Sequence, residues 1–147
     1  MPLDSQNDAH TTSVMPHLRA ERIQCGLRDK VLGMASNSQE KHWQAILLTT
    51  GTGSIDNEEE SIPLEAPCLA WLPGRIGRSL KIRAGGVGYH FSIGEEALAG
   101  AIGNNPESTD LRFLVDRRVI ADLLDDEVTI SDAAHAFDLV VRELHRP

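Results

Sequence analysis

The sequence predicts a mainly β domain, a barrel of short strands finished at its C-terminal end by two to three α-helices. Three observations carry this. Between Leu18 and Ile93, apolar and β-branched segments are separated by Gly- and Pro-containing turns about every 8–12 residues, the spacing of an all-β sandwich or barrel. After Glu95 the apolar residues change to the 3.6-residue period of helices. The 147 residues, 41% hydrophobic and 24% charged, are one domain's worth of chain with one core.

Taken in order, residues 1–17 hold Pro2, Asp4, Asn7, Asp8, Thr11, Thr12 and Pro16, too polar a set to bury much, and a mobile arm is expected there. The barrel is expected over residues 18–103. Leu18 to Cys25 is β-compatible and stops at Gly26. His42 to Thr50 is rich in apolar and β-branched residues and runs into Gly51-Thr52-Gly53. Ser54 to Asp56 and Ser61 to Glu65 flank the acidic run Asp56 to Glu60, which reads as a solvated hairpin tip. Cys68 to Leu72 is a short strand ended by Pro73-Gly74. Arg78 to Arg83 alternates, and Val87 to Ile93 follows the turn Ala84-Gly85-Gly86.

A helical segment is expected over residues 104–147, preceded by a short helix from Glu95 to Ile102 closed by Gly103. Thr109 to Leu124 reads as one helix. The last has the clearest period: Ile130, Ala133, Ala134, Phe137, Val140, Val141 and Leu144 share one face, with Thr129 as N-cap and Asp132 completing a capping box. Something must cover that face, either the chain's own barrel or a second subunit.

The bulk properties exclude several function classes. A net charge of −8 repels phosphate backbones, so contact with DNA would need another segment. No apolar run approaches the ~20 residues that span a bilayer. The polar start lacks the features of a secretory signal, and Cys25 and Cys68 form no C-x-x-C pair; both point to a reducing compartment, the cytoplasm. There is no G-x-S-x-G elbow, P-loop, dinucleotide fingerprint or H-E-x-x-H. Glu58 to Glu60 are sequence neighbours at a turn, unlike a paired acid and base.

The stretch from His42 to about Ala97 resembles the N-terminal domain of AraC-type transcription regulators. The resemblance rests on His42-Trp43-Gln44 leading to Gly51-Thr52-Gly53, then Trp71-Leu72-Pro73-Gly74, then Gly88-Tyr89-His90-Phe91-Ser92. It implies a cupin-type barrel that holds a small-molecule effector and helices that join two copies as a homodimer. It also implies a DNA-binding helix-turn-helix part beyond Pro147, and an arm able to fold over the barrel mouth. The cupin metal pattern, His-x-His with Glu and a later His, is not matched. His42 is followed by Gln44, and the later position falls on Gly77 or Arg78, so neither a metal nor another cofactor is expected.

Candidate ligand contacts are His42, Gln44, Trp71, Arg78 and Tyr89. A barrel pocket needs aromatic walls and a few inward polar groups. Arg78 is the lone cation on a face shared with Leu80 and Ile82, and either binds an anion or reaches for solvent at the mouth. His42 and Gln44 share a strand face with Ile46 and Leu48. Trp71 is either core or a stacking surface, and the Tyr89 hydroxyl needs a partner in a ligand or the backbone. Val87, Tyr89, Phe91 and Ile93 share one face, His90 and Ser92 the other. Ile130, Ala133, Phe137, Val140, Val141 and Leu144 are the expected dimerisation residues. Two rival functions remain: a metal-free cupin enzyme acting on a small polar substrate such as a sugar or keto acid, and a ligand-free dimerisation module.

Overall fold

The computed structural model describes residues 18–33, 42–73 and 79–146. Among these residues nine strands and three helices follow one another: β1 Leu18–Gln24, β2 Lys30–Gly33, β3 His42–Thr50, β4 Thr52–Asp56, β5 Ser61–Glu65, β6 Cys68–Leu72, β7 Ser79–Ile82, β8 Val87–Gly94, α1 Glu95–Gly103, α2 Ser108–Val115, β9 Val119–Asp122 and α3 Glu127–Leu144. They form two antiparallel sheets, one of five strands ordered β1-β8-β3-β6-β9 and one of four ordered β2-β7-β4-β5. The expected mainly β barrel with C-terminal helices is therefore present.

The turns follow from their residues. Gly51 joins β3 to β4 at φ 94°, and a Cβ there would sit 2.8 Å from the Gly86 Cα, so glycine is required on both counts. At the acidic hairpin, the Asn57 side chain accepts from the backbone N–H groups of Glu59 and Glu60 at 2.8 and 2.7 Å, closing the β4–β5 turn.

The core lies between the sheets. Ile23, Ile46, Leu48, Ala70 and Leu72 from the wider sheet meet Ile55, Leu64, Leu80 and Ile82 from the narrower one, with Cys25 and Cys68 among them. Both cysteines are free thiols, and burial pushes the Cys68 thiol pKa up. Removing these apolar side chains from water supplies the main drive for folding, about 1.5–3 kcal/mol for each fully buried Leu or Ile.

The helices cover the outside of the wider sheet. Phe137 of α3 stacks on Tyr89 of β8, centroids 5.6 Å apart, and meets Phe91 edge-on at 6.3 Å. Beside it the Arg22 guanidinium on β1 grips the Asp138 carboxylate through Nε and Nη2, which holds that carboxyl pKa below its usual range. Both faces of β3 are thereby buried, as its continuous apolar run requires.

One strand lies where the sequence marked none, and two sequence expectations change. Lys30–Gly33 is a strand: paired with β7, it closes the narrow sheet with only Leu32 turned to the core. The helix expected from Thr109 to Leu124 stops at Val115, and β-branched Val119 and Ile120 return as β9 along β6. Pairing to an existing strand overrides helical periodicity there. The N-cap of the last helix is Asp126, not Thr129; its carboxylate accepts from the Thr129 N–H at 3.1 Å and hydroxyl at 2.7 Å. No helix among the described residues is long and apolar enough to cross a membrane.

Candidate functional site

Strand register assigns each side chain of the wider sheet to a face. Ile23 of β1, Ile46 and Leu48 of β3 and Cys68 and Ala70 of β6 point between the sheets. Alternation sends Glu21 and Arg19 on β1, His90 and Ser92 on β8, and Gln44 and His42 on β3 to the same side. Along all three strands the interior therefore turns from apolar to polar toward one end. Among the described residues, β2 and β4 pair with β7 no further than Ser79.

His90 is the centre of this polar end. It is 7% exposed, with Nε2 2.8 Å from the Gln44 Oε1 and Nδ1 3.4 Å from the Glu21 carboxylate. The amide oxygen of Gln44, itself 3% exposed, accepts the Nε2–H, and Nδ1 faces the Glu21 carboxylate, to which it donates once the ring is protonated. Burial pushes the imidazole pKa below its ordinary value. Glu21 opposes that shift, and the Arg19 charge adds to it. The result is a neutral buried imidazole beside a half-exposed carboxylate.

A cleft of about 250 Å³ opens from this group around the edge of β1. It is lined by Leu18, Arg19, Ala20, Glu21 and His90, and by Leu144 and His145 at the end of α3. His145 is held there by its Nδ1, which donates to the Val141 carbonyl at 2.7 Å. The cleft combines a cation, a carboxylate, two imidazoles and a small apolar wall. Other hollows lie outside the barrel, among them one of about 290 Å³ between Trp43 and α1–α2 and one of about 400 Å³ on the outer face of β4, β5 and β7. Among the described residues no three His, Cys, Asp or Glu side chains gather as a metal site.

The structure divides the five candidate ligand contacts. Gln44 lies inside, bonded to His90, and His42 shares its strand face at the rim, half-buried. Trp71 and Tyr89 are on the outer face instead: the Trp71 indole donates to the Val115 carbonyl at 2.8 Å, and Tyr89 packs under Phe137. Helices cover that outer face, so an aromatic strand face need not be the interior. Arg78 lies outside the described residues, as does the arm over residues 1–17. Glu21, Arg19, His90 and His145 were not among the candidates. The signal for His90 was present, because alternation sets it with Ser92 opposite Tyr89, on the face that proves to be inside. The six candidate dimerisation residues are all half-buried, and their helix lies on its own barrel through Phe137.

No protein-family model matches the sequence, and no curated protein matches it. Among solved structures, the chain is similar to ToxT from Vibrio cholerae, an AraC-family regulator, with a TM-score of 0.52 at 7% identity, covering 82% of this chain and 47% of ToxT. The chain shares its mainly β barrel fold with that part of ToxT. A ToxT structure bound to an unsaturated fatty acid gives a TM-score of 0.47 at 8% identity, covering 82% of this chain and 46% of that one. EutQ from Clostridium difficile gives 0.37 at 10% identity, covering 64% of this barrel chain and 61% of its own. The likeness is one of fold, and the chain spans about half the length of ToxT.

Proposed function

We propose that this chain is the effector-sensing and dimerisation domain of a cytoplasmic AraC-type transcription regulator, whose DNA contacts are made by a segment other than this one. The observation that carries the sensing role is the Glu21–His90–Gln44 chain, a polar group at the end of an otherwise apolar barrel, opening into a cleft shared with the end of α3. Three strands and a helix meet there, so a molecule bound in the cleft touches both the barrel and the element that follows it. At about 250 Å³ the cleft is below the roughly 300–1,000 Å³ of sites for drug-sized ligands. The fitting effector is a small polar molecule with a carboxylate or hydroxyl for Arg19 or the imidazoles and a short apolar part for Leu18 and Leu144.

The test is amide NMR on the full chain titrated with a panel of short-chain carboxylates and monosaccharides. An effector is expected to shift the amides of Glu21, His90 and Leu144 together, and H90F is expected to weaken its binding about tenfold or more. A panel member that binds and shifts the Trp43 hollow instead, with H90F binding it unchanged, would move the site out of the barrel.

A further inference from the structure

The wider sheet has one strand more than the narrower one, and the strand at that edge is β9. Among the described residues β9 pairs with β6 alone, which leaves its other side open. The bond from the Leu123 N–H to the Pro67 carbonyl, 2.9 Å, sets the phase of the ladder: Leu123, Ala121 and Val119 direct their backbone groups to β6. Ile120 and Asp122 therefore direct theirs outward. Val119 and Ile120 are 44% and 40% exposed, and just before them α2, which ends against Trp71 on β6, leaves Phe113 75% exposed. An open apolar edge is a template for another strand.

We propose that the strand it takes is β9 of a second copy, antiparallel about a two-fold axis at Ile120, joining the two five-stranded sheets edge to edge. The charge pattern selects this occupant. Arg117 and Arg118 precede the strand, Asp122 ends it, and Asp125 and Asp126 follow. Antiparallel pairing on Ile120 sets Arg118 opposite Asp122 of the second copy, twice, on one face of the sheet, while Val119 meets Ala121 on the other. A parallel arrangement would set like charges side by side. The same register lets the two Ile120 residues exchange both backbone hydrogen bonds. Arg118 already holds Glu60 at 2.8 Å, but a guanidinium has five donors and is half-exposed here, so a second carboxylate can share it. A self-complementary contact of this kind closes as a dimer and does not propagate.

This inference rests on the self-association proposed above and names its surface; effector binding in the cleft is read separately, so either can fail alone. The test is sedimentation velocity of the full chain across a concentration series, with R118D and D122R singly and mixed. Each single substitution puts like charges opposite each other and is expected to weaken the dimer about tenfold or more. Mixed together, the two variants restore opposite charges at both positions and are expected to form a dimer that neither forms alone, a result that misfolding cannot produce. A parent chain that stays monomeric, singles that associate as tightly as the parent, or a mixture that stays monomeric would each overturn the proposal. So would a dimer lost in F137A but kept in R118D, which assigns assembly to α3.

Discussion

Phe137 tests where α3 belongs, because one ring carries its aromatic contacts to the sheet. Phe137→Ala removes the stack on Tyr89 and the edge contact with Phe91. Emptying a fully buried phenylalanine site costs about 3–5 kcal/mol. Phe137 is half-buried, so about half of that applies, roughly 2 kcal/mol, of which each aromatic pair accounts for about 0.5–1.5 kcal/mol. For a domain of this size the corresponding fall in Tm is about 6–8 °C. Urea unfolding followed by far-UV circular dichroism should show a lower midpoint at an unchanged slope, since the fold itself is retained. If the variant keeps the parent's midpoint but loses a dimer, the helix face is covered by a second copy in solution and the packing of α3 on its own barrel is refuted.

Further predictions follow from the same contacts. Gln44→Leu removes the acceptor for the His90 Nε2–H and should cost about 1–3 kcal/mol; in the Q44L/H90F double variant the loss should be smaller than the sum, measured as a double-mutant cycle. Burial holds the folded His90 pKa below the ordinary 6.5, so the unfolded chain binds the proton first as pH falls. Stability should therefore be full above about pH 6.5 and decline below it, and H90Q should flatten that part of the profile. Gly51→Ala meets both a φ of 94° and the Gly86 backbone and should lower stability by about 1–3 kcal/mol, read from the urea midpoint. The buried Cys68 thiol, its pKa raised, should resist iodoacetamide in the native protein and react on unfolding, followed by mass spectrometry.

Most strands were legible because a strand between Gly and Pro turns leaves a local mark. The segments His42–Thr50, Cys68–Leu72 and Val87–Ile93 match β3, β6 and β8 to within one residue. What alternation could not supply was which face is inside. On β8 it separated Tyr89 and Phe91 from His90 and Ser92 correctly, yet the aromatic pair lies under α3 and the polar pair lines the barrel. That choice depends on where a helix more than forty residues later comes to rest. Strand β9 was illegible for a related reason, since Val119 and Ile120 continue a helical pattern and become a strand only because β6 offers them an edge. Gln44 was identifiable as an inward polar residue; Glu21, on the other side of His90, sits in an edge strand that looks like an ordinary half-solvated surface.

The way α3 is fastened gives it the properties of a rocking beam. Its middle is held to the sheet by Phe137 and Asp138, its last turn forms one wall of the cleft, and its first turn stands immediately after Leu123, the residue that continues β9 along the Pro67 carbonyl. At 1.5 Å per residue the arms on either side of Phe137 are about 15 Å toward Glu127 and about 10 Å toward Leu144. A molecule that pushes Leu144 outward by about 1 Å would, for a rigid helix turning about its middle, swing the far end the opposite way by about 1.5 Å. That is enough to shift the strand edge where two copies would meet, so occupancy at one side of the barrel can be felt at the other without any change inside its core.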